Sequence, residues 1–268
     1  MFAVVIAILV VCCFYLLSLM GRTGHKGLAS LRGWSYAHRG LHGCGTPENS
    51  LEAFRRAKEA GYGAELDIHL LADGSLAVIH DSNTKRTTGI DASVEDLTAQ
   101  RIKDFRLEET DERIPLFEEV LEVFGGCAPL IVELKSNRDN YAQLCQRVCE
   151  VLDSYSGAFC IESFDPRCVR WLRKNRPDIV RGQLTENYFC SASKLHWALK
   201  FALTNQLCNF LTYPDFVAYK FRDRKNLGNF LCRKLWGVQG VSWTLRNPDE
   251  YAEAVREGWI PIFENFLP

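Results

Sequence analysis

Short apolar runs alternate with amphipathic segments along most of the chain. Residues 64–70 alternate between apolar and polar positions, which predicts a β-strand. Residues 49–60 repeat apolar positions at helical spacing and are followed by Gly61, a common helix terminator. The same criteria predict strands at 34–37, 75–80, 130–134, 158–163, 181–184, 238–245 and 260–263, and helices at 115–124, 141–155, 165–174 and 250–257. Strands that alternate with helices indicate an α/β protein with a parallel sheet, and seven or eight such units indicate a closed (β/α)8 barrel over residues 34–268.

The first 20 residues contain no charged side chain. As a helix this run would be about 30 Å long, enough to cross the hydrocarbon core of a bilayer. A cleaved signal peptide is the competing interpretation, but the run lacks a basic start and a small-residue cleavage site. We therefore predict one N-terminal transmembrane helix over residues 1–20, followed by a juxtamembrane linker over residues 21–33.

The charges beside this run predict its orientation. No Lys or Arg precedes it, whereas Arg22, Lys26 and Arg32 follow it. Because basic residues favour the cytoplasmic side, we expect a single-pass membrane protein with a cytoplasmic folded domain. The 11 cysteines agree with this expectation, because they form no C-x-x-C pair and are typical of reduced thiols.

The overall charge excludes one class of partner. The 268 residues carry a net charge of -1 with a pI near 6.6, so no basic field draws nucleic acid to the protein. An anionic substrate must therefore be held by local charges or by a metal ion. The segment 194–236 is rich in aromatic and basic residues, and we predict that it forms barrel helices with solvated faces, with a second membrane-surface patch as the alternative.

Three carboxylates follow the predicted strands in a pattern typical of a cation site. Glu65 and Asp67 are two residues apart, so both side chains point to the same face of their strand. Glu133 interrupts an otherwise apolar strand, where a buried carboxylate needs a partner. Carboxylates that converge in a barrel mouth repel one another, and a divalent cation relieves the repulsion. All-oxygen ligation suits one Mg²⁺ or Ca²⁺, with Mn²⁺ as a further candidate.

Two histidines and two cationic side chains accompany the carboxylates. His38 and His80 each end a predicted strand and could act as general base and general acid. Arg39 and Lys135 could hold phosphate oxygens, the first through its planar fork and the second as a point charge. Each residue taken alone also fits a structural role, so the pattern by itself leaves a metal-assisted hydrolase and a merely polar strand face both open.

These residues belong to motifs that occur in a fixed order from residue 38 to residue 135. The motifs are His38-Arg39-Gly40, Pro47-Glu48-Asn49-Ser50, Glu65-x-Asp67, Asp73-Gly74, Val78-x-His80-Asp81, Arg86-Thr87-Thr88-Gly89 and Val132-Glu133-Leu134-Lys135. Together they closely resemble the signature of the glycerophosphodiester phosphodiesterase family. The resemblance implies a TIM barrel that hydrolyses glycerophosphodiesters to an alcohol and glycerol 3-phosphate.

The resemblance also implies roles for individual residues. It maps the metal ligands of the family onto Glu65, Asp67 and Glu133, and the two catalytic histidines onto His38 and His80. The signature arginine corresponds to Arg39, and Lys135 occupies a position near the phosphate. In such enzymes a glycerol hydroxyl is thought to attack first, through a cyclic phosphate that water then opens.

The second half of the chain resembles the family less closely. Residues 162–165 and 242–244 look like its later strands, and residues 212–216 are a candidate for a further variant strand. Trp243 is assigned to substrate binding, with a core position as the alternative. Residues 262–265 depart from the more usual Thr-Asp-x-Pro ending, which leaves the headgroup specificity open. The competing functions are a lysophospholipase D-like or sphingomyelinase D-like activity on membrane lipids, and a catalytically idle, membrane-tethered barrel.

Overall fold

Hydrogen bonds between the first strand and the last close the parallel sheet into a barrel. The computed structural model describes residues 1–268. Its strands are β1 (Tyr36–His38), β2 (Gly63–Leu70), β3 (Leu76–Val78), β4 (Leu130–Leu134), β5 (Phe159–Ser163), β6 (Arg181–Thr185), β7 (Phe216–Lys220), β8 (Gln239–Leu245) and β9 (Trp259–Phe263). All neighbouring pairs are parallel except β2 with β3, and β1 pairs with both β2 and β9. The predicted (β/α)8 barrel is confirmed, with β3 as an additional strand at one end of β2.

Helices lie between most of the barrel strands. They are α1 (Phe2–Ser18), α2 (Leu51–Glu59), α3 (Lys85–Thr88), α4 (Ala99–Ile102), α5 (Phe117–Phe124), α6 (Tyr141–Leu152), α7 (Pro166–Asn175), α8 (Trp197–Thr204), α9 (Asn209–Thr212), α10 (Leu227–Leu235) and α11 (Pro248–Arg256). Polar side chains start several of them, because the first N–H groups of a helix lack partners within the helix. The Ser50 hydroxyl, for example, accepts from the Ala53 N–H at the start of α2.

Two strands differ from the sequence prediction. The strand predicted at 75–80 is the shorter β3, which turns back at Asp73-Gly74 and pairs antiparallel with the end of β2. The strand β7 lies inside the segment 194–236, which was predicted to be mainly helical, and it begins where the candidate strand at residues 212–216 was expected to end. Both faces of β7 are buried, so its residues do not alternate between apolar and polar, and the usual strand signal is missing.

Alternate strand residues fill the interior of the barrel with apolar side chains. Ile131, Phe216 and Ile260 belong to one cluster of 12 buried residues that spans this interior. The position of Gly182 on β6 requires glycine, because a Cβ atom there would lie 2.1 Å from the Phe216 ring. At the carboxyl ends of the strands the inward positions become polar, and this end of the barrel holds the candidate site.

The prediction of a membrane anchor over residues 1–20 is wrong. No helix of the structure combines the length and the apolar character needed to cross a membrane. Helix α1 has 17 residues and is therefore only about 26 Å long. The apolar run does not continue as a helix, because Leu19 leaves α1 and is fully buried in the core of the barrel. The expected single-pass location with a cytoplasmic domain is contradicted with it.

Residues 21–33, which were expected to form a juxtamembrane linker, lie against the barrel. The Arg22 guanidinium forms a two-pronged ion pair with Asp215, at 2.5 and 2.6 Å. Leu28 and Leu31 are buried in the same cluster as the interior strand residues. This segment therefore covers the barrel at the amino-terminal ends of its strands, opposite the polar end.

Candidate active site

Three buried carboxylates meet at the carboxyl ends of β2 and β4. Glu65 and Asp67 point inward from β2, and the Cα atoms of Asp67 and Glu133 are register partners across the two strands. The exposed fractions of the three residues are 2%, 1% and 6%, so water screens their charges poorly. One oxygen of each carboxylate lies within 4.8 Å of the others. The structure brings together the three residues that were predicted to bind a cation.

Burial and mutual repulsion shift the pKa values of this trio apart. Burial raises the pKa of Glu65 well above its usual value, and the neighbouring Asp67 and Glu133 add to the shift. Burial also raises the pKa of Glu133 to about 6, although Lys135 opposes the shift. For Asp67 burial is outweighed by Lys135, His80 and Arg39, and the pKa falls below its usual range. The trio thus cannot easily carry three negative charges without a cation.

The donor set fits a hard divalent cation. The Lys135 ammonium lies 3.0 Å from Asp67 Oδ1 and 2.6 Å from Glu133 Oε1, and it is the cation that the trio now contacts most closely. These two oxygens are nonetheless buried without a hydrogen bond of good geometry. Oxygen ligands at this spacing suit Mg²⁺, Ca²⁺ or Mn²⁺. Glu65, Asp67 and Glu133 could therefore hold such an ion, with Lys135 beside it.

Arg39 lies between the carboxylate trio and the loop that precedes α2. Its backbone has a φ of 56°, and its N–H donates to Glu65 Oε2 at 3.2 Å. Its side chain donates to Glu48 at 2.8 Å and lies 3.4 Å from Asp67 Oδ2. Asn49 donates to the same Asp67 oxygen at 2.8 Å. The loop residues Glu48 and Asn49 thus orient the guanidinium and the carboxylate toward the site.

His80 reaches the site from the segment after β3, and not from a barrel strand as the sequence suggested. Its Nδ1 lies 2.6 Å from Asp81 Oδ1, and Asp81 is held by Arg86 at 2.5 Å. Burial lowers the pKa of His80 to about 4, although the Asp67 carboxylate opposes the shift. The ring is therefore neutral at physiological pH in this state, and it can accept or relay a proton.

His38 ends β1 on the other side of the trio. Its Nε2 lies 3.9 Å from Glu65, and its Nδ1 lies 3.5 Å from Glu264 Oε2. Glu264 also lies 3.4 Å from His42 Nε2 and 2.9 Å from the Arg246 guanidinium. Burial lowers the pKa of His38, whereas Glu264 opposes that shift.

Glu264 is a site residue that sequence reasoning missed. It was noted only as a departure from the usual closing segment, although a carboxylate directly after the last barrel strand lies at the catalytic end by topology. His42 also contacts this carboxylate, with its Nε2 3.4 Å from Glu264 Oε1. His69 lies elsewhere, with its Nδ1 2.9 Å from Glu95.

Trp243 forms part of an apolar wall opposite the charged residues. Its ring packs edge to face against Phe164, with the ring centroids 5.5 Å apart, and its N–H donates to the Ala218 carbonyl at 3.2 Å. Leu184 lines the same cavity. Glu162 on β5 also lines it and is fully buried, and burial raises its pKa well above the usual value. Glu162 was not among the predicted site residues.

Six of the eight predicted site residues line one cavity: His38, Arg39, Glu65, His80, Glu133 and Trp243. Asp67 does not line it but lies with Glu65 and Glu133 in the trio. Lys135 lies within contact of the trio and also lines an adjoining surface depression with His80 and Phe164. One half of the cavity is therefore charged, and the other half is apolar.

Comparison with known proteins gives a consistent picture. The model of the family described as "Glycerophosphoryl diester phosphodiesterase family" matches residues 38–267. A protein named glycerophosphodiester phosphodiesterase from Caldanaerobacter subterraneus subsp. tengcongensis is 35% identical over 234 residues, which cover 83% of this chain and 89% of that protein. A protein named lysophospholipase D from Rattus norvegicus is 35% identical over 132 residues, covering 44% of this chain and 40% of that protein.

A solved structure supports the fold independently. The structure of an Oleispira antarctica phosphodiesterase in complex with the product sn-glycerol-3-phosphate has a TM-score of 0.74 to this chain, with 20% identity. The similarity covers 91% of this chain and 95% of that one. At this identity the likeness speaks for the barrel fold.

Proposed function

This chain belongs to the glycerophosphoryl diester phosphodiesterase family, and from that premise we propose that it hydrolyses glycerophosphodiesters to an alcohol and glycerol 3-phosphate with the help of one divalent cation and two histidines. The observation that carries the proposal is the convergence of three buried carboxylates, two histidines and two cationic side chains on one cavity. Hydrolysis of a phosphodiester needs this combination of groups. The charge of the phosphate must be neutralised, a nucleophile must attack phosphorus, and the leaving oxygen must be protonated.

The cation would be held by Glu65, Asp67 and Glu133. When bound, it supplies positive charge that stabilises the oxygens of the reacting phosphate. Arg39 and Lys135 would hold the remaining phosphate oxygens, the guanidinium in a fixed plane and the ammonium as a point charge. The ion pairs that these two side chains now make with the trio keep them in position for this task.

His38 and His80 would divide the proton transfers. His38 lies beside Glu65, so it is placed to take the proton from a glycerol hydroxyl that attacks phosphorus. Glu264 faces the Nδ1 of His38 and would hold the proton there, which leaves Nε2 free as the base. His80 also borders the more open depression, where its neutral ring is placed to relay a proton from solvent water to the departing alcohol. The cyclic phosphate formed in this way is then opened by water, with the two proton transfers reversed.

A second candidate is hydrolysis of lysophospholipids by the same residues. The apolar wall formed by Phe164, Leu184 and Trp243 could accept part of an acyl chain, and a partial relative carries the name lysophospholipase D. Further apolar side chains are exposed nearby in sequence, at Phe189, Leu195, Trp197, Leu199 and Phe201. A catalytically idle barrel is the weakest alternative, because the chain retains every charged residue that the reaction requires.

Product identity tests the main proposal. We expect the purified chain to convert glycerophosphocholine into choline and glycerol 3-phosphate, with phosphorus NMR as the readout. The matched control is the Glu65→Gln, Asp67→Asn double variant, which should leave the substrate intact. Release of phosphocholine and glycerol would show cleavage on the other side of phosphorus and would contradict the proposal.

A further inference from the structure

Glu162 is a buried carboxyl group that the proposed reaction leaves without a task. It points inward from β5 and has an exposed fraction of 0%. Both of its side-chain oxygens are buried without a hydrogen-bond partner. Native proteins rarely leave a buried polar group unpaired, because its lost hydration is not replaced. A ligand that enters the cavity can supply the missing partner.

Glu162 lies on the strand next to the one that carries Glu133, a proposed cation ligand. Its Cα atom is the register partner of Glu133 across β4 and β5, and neighbouring strands are about 4.8 Å apart. Glu162 lines the same cavity as His38, Arg39 and Glu65. It is therefore one strand further round the barrel than the carboxylates that would hold the cation.

The glycerol moiety of a glycerophosphodiester presents two hydroxyl groups on neighbouring carbons. Under the proposed function, on which this inference rests, the hydroxyl next to the phosphate-bearing carbon reacts beside His38 and Glu65. The terminal hydroxyl is then one carbon further along the glycerol chain, on the side away from the phosphate. Leu184 and Trp243 also line the cavity, but Leu184 has no polar side-chain atom and the Trp243 N–H already donates to the Ala218 carbonyl.

We propose that Glu162 is a specificity-determining residue that hydrogen-bonds the free terminal hydroxyl of the glycerol moiety. Its carboxyl group gains the partner that it lacks only when a substrate with this hydroxyl is bound. A site of this kind rejects analogues without the hydroxyl strongly, because the buried polar group is then left unpaired. Glu162 therefore favours glycerophosphodiesters over lysophospholipids, in which an acyl chain occupies the terminal oxygen.

The experiment compares two water-soluble substrates on the full chain. Glycerophosphocholine carries both hydroxyls, whereas 2-hydroxypropyl phosphocholine keeps the reacting hydroxyl and lacks the terminal one. We expect kcat/KM of the unchanged protein to be lower for the second substrate by roughly 10- to 100-fold, the range for loss of a buried hydrogen bond. This comparison needs no variant and so does not depend on the folding of one.

Two variants then assign the discrimination to Glu162. Glu162→Ala should lower kcat/KM for glycerophosphocholine until the two substrates are used equally, with little change for 2-hydroxypropyl phosphocholine. Glu162→Gln keeps a donor and an acceptor of the same shape, so it should keep most of the preference. Mn²⁺ affinity should be the same in all three proteins, because Glu162 is not one of the proposed ligands.

The outcomes separate this inference from the function on which it rests. No hydrolysis of glycerophosphocholine by the unchanged protein contradicts the proposed function, and the inference with it. Hydrolysis without discrimination between the substrates overturns the inference alone. Equal losses on both substrates in Glu162→Ala, or a loss of Mn²⁺ affinity in that variant, would give Glu162 a structural or metal-binding role instead and would also overturn it.

Discussion

At the scale of single residues, Glu65 and Asp67 are the most informative pair. Replacing them by Gln and Asn keeps their shape and removes two charges from a buried, mutually repelling trio. We expect the double variant to lose Mn²⁺ binding and phosphodiesterase activity. In EDTA the single variant Glu65→Gln should be at least as stable as the unchanged protein, because it removes the carboxyl group whose pKa is raised by burial and by repulsion from Asp67 and Glu133.

Calorimetric Mn²⁺ titration and thermal unfolding measure both effects. Added Mn²⁺ should raise the unfolding temperature of the unchanged protein and leave that of the double variant where it was. Full activity in the double variant would remove the basis for the cation assignment.

His80 supplies a second prediction at this scale. As a general acid or base it should contribute roughly 10²- to 10⁴-fold to turnover, so His80→Ala should lower kcat by that factor. The exposed His196 provides a matched control, and His196→Ala should leave kcat unchanged. Steady-state hydrolysis of glycerophosphocholine gives both values. A loss below about threefold would place His80 outside the range of an acid or base.

Glu264 supplies a third prediction, as a residue that orients His38. Glu264→Gln should lower kcat by roughly 10- to 100-fold, as is usual for groups that fix the tautomer of a functional histidine. KM and Mn²⁺ affinity should change little, because Glu264 contacts neither the trio nor the proposed phosphate ligands. A change confined to KM would instead indicate a role in substrate binding.

The carboxylates proposed to bind the cation could be predicted from the sequence, whereas Glu264 and Glu162 could not. Glu65, Asp67 and Glu133 stand out because they interrupt apolar strands, and the structure brings them together. Glu264 follows the final strand within a loop-like ending, where a carboxylate resembles any surface residue. Glu162 occupies an apolar strand just as Glu133 does, but it lacks a neighbouring lysine in the chain that would draw attention to it.

At the scale of elements, α2 and α5 pack through one aromatic pair. The rings of Phe54 and Phe124 meet edge to face with their centroids 6.2 Å apart, and both residues are fully buried. Phe54→Ala should therefore lower the free energy of unfolding by about 3–5 kcal/mol, the usual cost of removing a buried ring. Arg55→Ala, on the exposed face of the same helix, should cost less than about 1 kcal/mol.

Urea unfolding of the two variants checks this difference. A cost below about 1 kcal/mol for Phe54→Ala would mean that α2 does not pack as described. The result matters for function, because α2 directly follows the loop in which Glu48 and Asn49 orient Arg39 and Asp67.

Element prediction succeeded where periodicity was clear and failed where packing overrode it. The helix predicted at 49–60 corresponds to α2, because its apolar residues recur at helical spacing and a glycine ends it. The strand predicted at 64–70 corresponds to β2, because apolar and polar residues alternate along it. The strand β7 is buried on both faces and follows two short helices, so its five residues gave no period. The antiparallel direction of β3 is set by its pairing with β2, which local sequence does not encode.

At the scale of the whole molecule, α1 is the element least connected to the barrel. It has no buried residue, and the hydrogen bond from the Trp236 indole to the Leu16 carbonyl ties down only its last turn. Deletion of residues 2–14 should therefore leave kcat/KM for the small substrate glycerophosphocholine unchanged. A fall of more than tenfold would mean that α1 supports the catalytic end of the barrel, and kinetics of the two chains decide the question.

The length of the N-terminal helix could not be predicted from the lack of charged residues alone. The absence of charge over residues 1–20 suggested one continuous span. The end of that run instead turns into the barrel, where Leu19 is buried and Arg22 pairs with Asp215. Tertiary contacts determine where a helix ends, and a stretch of apolar residues does not by itself show where those contacts will form.

The most direct test of the account is metal-dependent hydrolysis by the full chain. Glycerophosphocholine, glycerophosphoethanolamine and lysophosphatidylcholine would be incubated with the protein in EDTA, and then with Mg²⁺, Ca²⁺ or Mn²⁺ added back. We expect no activity in EDTA, and release of glycerol 3-phosphate from the first two substrates once a cation is restored. Activity that persists in EDTA, or hydrolysis of the lysolipid alone, would contradict it.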